Sequence, residues 1–176
     1  LGAPHENDSL NRIRGSRSWL QLQICGLTEL QSHLADCRAL ISTDTMAIHL
    51  AAQLQTPIFG IFLGSAEPSK TAPWVRGAWI VQSLEACAPC WHSKPCYQSR
   101  HHCSISLDPI EIANAFVGYL DRSLKVISSS RFKIWETQAG YNQNLVLRDL
   151  DAPESTAIQI LRQYCFSADV EVTGVV

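Results

Sequence analysis

Ile41-Ser42-Thr43-Asp44-Thr45-Met46-Ala47-Ile48-His49-Leu50-Ala51-Ala52 reads as an apolar strand that passes through a short polar turn straight into a helix. The turn sets an acid and a hydroxyl at a helix N-terminus, where backbone N–H groups lack intrahelical partners and the helix dipole favours an anion such as a pyrophosphate. Thr45 and His49 are four residues apart and therefore share one face of a helix over 45–54. Ala47, Leu50, Ala51 and Leu54 follow the spacing of a buried stripe. That arrangement covers a sheet with one face and turns the Thr45/His49 stripe toward a cleft.

The flanking sequence extends the pattern. Trp19-Leu20-Gln21-Leu22-Gln23-Ile24-Cys25 alternates apolar and polar positions up to Gly26 and predicts a strand. Thr28 with Gln31 three residues on has the form of a capping box, opening a helix whose buried face is Leu30, Leu34 and Cys37. Ala39-Leu40-Ile41 suits a buried parallel strand, as does Pro57-Ile58-Phe59-Gly60-Ile61-Phe62-Leu63 before Gly64. Ala78-Trp79-Ile80-Val81 predicts another strand after a Pro-containing loop. Asp108-Pro109-Ile110-Glu111 opens a further helix with Asp as cap and Ile112, Ala113, Phe116 and Leu120 as its apolar face. The alternation of strands and helices predicts an α/β fold with a parallel sheet covered on both faces and a ligand outside the carboxyl ends of its strands. Beyond residue 124 the pattern changes: strands are expected at 131–137 and 144–149 and a helix from Pro153 to Tyr164, forming a small appended element of unknown role or the start of another domain.

Composition narrows the class. The 176 residues are 46% hydrophobic and 17% charged, enough for one good core and a small second one. A net charge of −2 argues against a general nucleic-acid or anionic-membrane binder. No apolar run approaches the roughly 20 residues that span a bilayer, and no charged-then-apolar signal segment opens the chain. The start, Leu1-Gly2-Ala3-Pro4, reads as the tail of a strand, so the chain is expected to be an excised piece of a longer protein. Neither a G-x-S-x-G elbow nor a G-x-G-x-x-G or Walker pattern is present, which leaves serine hydrolysis and ordinary NAD binding without support.

Seven cysteines are many for this length, and Cys87, Cys90, Cys96 and Cys103 crowd together with the spacing C-x2-C-x5-C-x6-C, with His92, His101 and His102 in or beside the loop. Four thiolates from one loop can enclose one tetrahedral zinc or iron, two disulfides could form in an oxidising compartment, or the thiols could stay unligated. With four protein ligands a metal would be structural, because no position is left open for substrate. Cys25, Cys37 and Cys165 sit among apolar neighbours as small core residues.

Taken in order, Ser42 to Ala52, Thr56-Pro57, Phe62-Leu63-Gly64, Glu67-Pro68 and the cysteine cluster resemble glycosyltransferase family 9, the family of the lipopolysaccharide heptosyltransferases, over residues 1–123. The resemblance implies a GT-B fold of two Rossmann-like domains, of which residues 1–124 would be the C-terminal nucleotide-sugar-binding half, truncated at its start, with 125–176 appended. It implies an inverting transferase that moves a sugar, with ADP-heptose the expected donor, onto a saccharide or protein acceptor. By position Asp44 would contact the donor's sugar, Thr45 the pyrophosphate and His49 the same phosphates. Met46 stands where the family usually carries Gly, the residue that lets backbone approach phosphate closely. Glu6, or Asp8 beside it, would reach the adenosine. Leu63-Gly64-Ser65-Ala66-Glu67 replaces the usual Gly-Pro-Thr-Asp and keeps an acid before Pro68. The catalytic base would lie in the other domain, so none is assigned and the chain alone is expected to be inactive.

The resemblance further implies a bacterial, cytoplasmic location, with association at the inner face of the membrane through the longer protein. Some family members that glycosylate autotransporter proteins hold iron in a comparable cysteine loop, and a cytoplasmic enzyme disfavours disulfides, so a structural zinc or iron on Cys87, Cys90, Cys96 and Cys103 is the expected cofactor, with no organic cofactor. Singly, Asp44 would be an ordinary helix N-cap, Thr45 a solvated first-turn residue and His49 a satisfied buried histidine. Their combination at one strand-to-helix edge is what points to a ligand. A reading from another class is a non-catalytic nucleotide-binding or metal-knuckle domain that touches RNA or protein through Trp91, Lys94, Tyr97 and Arg100, a stretch without an acid. Two charges in a solvated loop explain that stretch as well, and no nucleic-acid partner is expected.

Overall fold

The computed structural model describes residues 1–91, 93–121, 129–139 and 145–151. His92, Cys165 and the helix expected from Pro153 to Tyr164 lie outside them. Within them the chain forms a mixed five-stranded sheet, flanked by helices on both faces, in the spatial order β1 (Leu40–Thr43), β2 (Ile58–Phe62), β3 (Trp79–Ser83), β4 (Phe132–Ala139) and β5 (Leu145–Asp149). Strands β1 to β3 are parallel, with Thr43 opposite Ile61 and Ile61 opposite Val81. Strands β4 and β5 run antiparallel, with Ile80 opposite Trp135 and Glu136 opposite Arg148. The parallel sheet expected of residues 1–124 is present as β1 to β3, and the strands expected beyond residue 124 extend it in the antiparallel sense. Strand β4 joins the sheet that β1 to β3 have built, so the segment read as an appendage supplies its last two strands.

Alternation along the strands produces the layers. On one face Ile58, Phe62 and Ile80 pack with Leu34 of α2 (Leu27–Asp36) and with Ile48, Ala51 and Ala52 of α3 (Met46–Gln53). On the other, Phe59, Trp79 and Val81 pack with Ala115 and Tyr119 of α6 (Pro109–Leu120), joined by Phe132 and Ile134 from β4. Phe59 meets Phe116 edge-on with ring centres 5.5 Å apart. A Cβ at Gly60 would lie 2.8 Å from Ile80 Cδ1, so a larger residue there would have to push the end of that buried side chain aside. Thr56 is buried, and its hydroxyl donates to the Leu34 carbonyl at 2.9 Å, satisfying an end carbonyl of α2 as the chain enters β2.

Local expectations change in four places. Trp19–Cys25, which follows α1 (Asn7–Arg14), is not a strand: Ile24 alone makes a parallel bridge, to Gly2, and Trp19 is 76% exposed. An alternating pattern needs a neighbour along its whole length, and this one finds a neighbour at one residue. The cap of α2 is Gly26, whose N–H donates to Glu29 Oε2 at 3.0 Å, so the helix starts before the Thr28/Gln31 pair. In α3 the fully buried positions are Ile48 and Ala51, with Leu50 and Leu54 packed beside them, which rotates the stripe away from Ala47. In α6 Ala113 is exposed, and Ala115 and Tyr119 take the core positions. Its N-terminus is as read, with Ile110 N–H donating to Asp108 Oδ1 at 2.8 Å.

Candidate functional site

Parallel pairing brings the carboxyl ends of β1, β2 and β3 to one edge, so the chain leaves from there three times: at Asp44, at Gly64 and after Ser83. The site is built from these three exits. Gly64 has φ +60°, a conformation that side-chain-bearing residues adopt at a cost, and it turns β2 toward α4 (Pro68–Thr71). Pro68 at the first position and Glu67 before it start that short helix.

Asp44 is not the cap of α3. Thr45 holds that position with extended backbone and makes no side-chain capping bond. The Asp44 carboxylate points across to the neighbouring exit, where its Oδ2 accepts from the Thr71 hydroxyl at 2.7 Å. Its Oδ1 lies 3.9 Å from His49 Nε2, a separation that a protonated imidazole would turn into an ion pair. The Asp44 side chain is 22% exposed and that of His49 49%, so both reach solvent at the same corner. The Thr45 hydroxyl lies 3.1 Å from that of Ser42, and Met46 is 57% exposed at the first position of the helix. The structure thus gathers Asp44, Thr45, Met46 and His49 around the start of α3. It adds Thr71, which the sequence reading did not single out; its only signal was a place four residues beyond Glu67.

Glu67 gives α4 a second anchor. It pairs with Lys70 and accepts from the Ser69 hydroxyl at 2.7 Å. The bond from Lys70, followed by that from Ser69, holds its carboxyl below the usual carboxylate range. Glu6 is placed differently: its Oε2 accepts from Ala3 N–H at 2.8 Å and closes the short turn Pro4–Glu6. A cleft of about 360 Å³ lies between α4 and β5, lined by Pro68, Lys70, Trp74 and Val146 among others, and its lining includes neither Asp44 nor His49.

The third exit carries the cysteine loop. Cys90 N–H donates to the Gly64 carbonyl at 2.8 Å, which fastens this loop to the turn between β2 and α4. Cys103 is buried in α5 (His102–Ile105), while Cys87, Cys90 and Cys96 are half-buried. The Cys90 thiol donates to the Cys87 carbonyl at 3.2 Å. Burial raises the Cys90 pKa above that of a free thiol, and the charges of Cys87, Cys103 and Cys96 add to the rise. Among the described residues no group of three or more His, Cys, Asp or Glu side chains is already drawn around a metal-sized point. The described cysteines are free thiols, and Cys25 and Cys37, expected as core residues, are half-buried. Cys37 donates its thiol proton to the Leu34 carbonyl at 3.3 Å, and burial raises its pKa. Lys94, Tyr97 and Arg100 are exposed on the loop.

The family model described as glycosyltransferase family 9 (heptosyltransferase) matches residues 1–101 of the 176. That span contains all three exits at the carboxyl edge and ends before α5. Neither the curated proteins nor the solved structures contain a match to the chain.

Proposed function

The chain belongs to glycosyltransferase family 9, and from that premise we propose that residues around the start of α3 bind a nucleotide-sugar donor, with ADP-heptose as the expected one, for inverting transfer to a saccharide or protein hydroxyl. In such a transfer the acceptor oxygen bonds to the anomeric carbon as the bond from that carbon to the diphosphate breaks, and the electron pair leaves with the diphosphate. A base must take the acceptor's proton, and donors must stabilise the departing charge. This chain offers the second. Thr45, the first amides of α3 and His49 would hold the diphosphate, with the Met46 backbone alongside, while Asp44 would accept from the sugar hydroxyls. Glu6 would face the nucleoside with its remaining carboxylate oxygen. The base would come from the other half of a GT-B enzyme, and the open setting of Asp44 and His49 suits a cleft closed by that second half.

One observation carries this reading. Asp44 is free of the helix-capping duty that would explain it as a structural residue, and it stands with His49 at the solvent-facing edge. The test is a titration of the chain with ADP-heptose, ADP and an RNA oligonucleotide. ADP-heptose should bind most tightly, and Asp44→Ala or His49→Ala should weaken it more than about tenfold, or some 1.4 kcal/mol, with the variants still cooperatively folded. Equal affinity for all three ligands, or wild-type affinity in both variants, sinks the proposal. Preference for RNA would favour the interaction-domain reading.

The cysteine loop would hold a structural zinc or iron on Cys87, Cys90, Cys96 and Cys103 if the loop closed around it, a reading supported by their C-x2-C-x5-C-x6-C spacing. A metal would cross-link the loop that Cys90 fastens to Gly64. Cytoplasmic placement belongs to the same proposal; no helix of the described residues is long and apolar enough to cross a membrane. Protein purified under reducing, chelator-free conditions should carry about one metal per chain. Its uptake should strengthen as pH rises, since a thiol with a raised pKa must lose its proton to become a ligand. Elemental analysis that finds none removes the metal.

A further inference from the structure

We infer that Thr71 is a positioning residue for sugar recognition, which rests on the donor-site reading above: its hydroxyl fixes the Asp44 carboxylate so that Oδ1 faces the bound donor. The two residues are 27 apart in sequence and belong to neighbouring exits, Asp44 after β1 and Thr71 in α4 after β2. Thr71 Oγ has one proton and two acceptors in range, Asp44 Oδ2 at 2.7 Å and the Glu67 carbonyl at 3.3 Å. The shorter contact, to an ionised oxygen, is the stronger. It leaves Oδ2 occupied and Oδ1 directed toward His49.

A carboxylate that recognises vicinal hydroxyls works only in a fixed plane, and an aspartate on an exposed turn would otherwise lose rotamer freedom on binding. Thr71 is half-buried and is itself held by the first turn of α4, where its N–H donates to the Glu67 carbonyl at 3.0 Å. The Glu67 carbonyl therefore holds Thr71 in the turn of α4, and Thr71 delivers the bond to Asp44.

Thr71→Val keeps the shape and removes the donor, and Thr71→Ser keeps the donor. Calorimetric titration of the chain should show Thr71→Val weakening ADP-heptose up to about tenfold, as ordering a freed Asp44 side chain on binding implies, while ADP affinity moves less than about twofold. Thr71→Ser should restore wild-type affinity. In an Asp44→Ala background Thr71→Val should change nothing further, because it acts through that carboxylate. Equal weakening of ADP and ADP-heptose, or no rescue by Ser, would overturn the assignment in favour of a merely structural threonine. If Asp44→Ala weakens ADP-heptose and Thr71→Val does not, Thr71 alone is misassigned; if neither does, or if wild type does not bind ADP-heptose, the donor-site reading falls and this inference with it. Should Thr71→Val fail to fold, Thr71→Ala is measured against Ser on the same criteria, and failure of both to fold decides for the structural role.

Discussion

The parallel half of the sheet and the antiparallel hairpin beside it share a core but divide the remaining work. Strands β1 to β3 send all their carboxyl ends to one edge, and every residue of the candidate donor site, Glu6 apart, leaves from there. Strands β4 and β5 meet edge to edge with their ends at opposite sides, so they cannot gather loops that way. The hairpin instead contributes packing: Phe132 and Ile134 are buried against α6, and Thr137 is buried opposite the start of β3. The family match ends at residue 101, so the core of this chain is completed by residues outside the segment that carries its family signature. Site and stability need not coincide in sequence.

Mutation can sharpen that division. Phe132→Ala, in the hairpin, should lower unfolding free energy by about 3–5 kcal/mol, measured by urea denaturation, as deletion of a fully buried ring requires. A loss below about 1 kcal/mol would mean that the hairpin does not share the core. Asp44→Ala is its counterpart, since it should cost donor affinity and lower stability by no more than its one bond to Thr71 supplies, about 1–3 kcal/mol. Next comes Thr137→Val. The Thr137 hydroxyl accepts from Ala78 N–H at 2.9 Å inside the protein, so its removal should leave that amide unsatisfied and cost about 1–3 kcal/mol in the same assay. The smallest effect belongs to the hairpin surface. Lys133 and Asp149 pair at 2.7 Å, yet the Lys133 side chain is one-third exposed, and Lys133→Met should change stability by no more than about 1 kcal/mol, with the difference shrinking further in high salt.

Sequence reading succeeded where the cause is local. The Asp108 cap, the strand from Ile58 to Phe62 and the entry into α3 each depend on residues within a few positions of one another. It fell short where a partner is required. The alternation at Trp19–Cys25 is a genuine strand pattern, but hydrogen-bonded neighbours decide whether a strand forms, and the stretch has one bridge, at Ile24, made by Gln23 and Cys25 with Gly2. The strands expected at 131–137 and 144–149 were located closely, yet their direction against β3 could not be read, because a burial pattern with a period of two is the same for parallel and antiparallel neighbours. Within the site, Asp44, Thr45, Met46 and His49 stand together because they are contiguous on one turn and helix. Thr71 comes from a different exit, and no spacing rule connects positions 44 and 71.

By itself the sequence determined the βαβ alternation, the polar turn at Asp44, the crowding of four cysteines in one loop and the resemblance that the family match bears out, all of which follow from short-range order along the chain. Only the tertiary structure decided that the hairpin closes the sheet in the antiparallel sense, that Cys90 fastens its loop to Gly64, and that the Asp44 carboxylate is held by Thr71 rather than by its own helix. These are meetings between segments far apart in sequence. Backbone propensity sets where such segments turn, but the register of neighbouring strands sets which side chains then come within hydrogen-bonding reach.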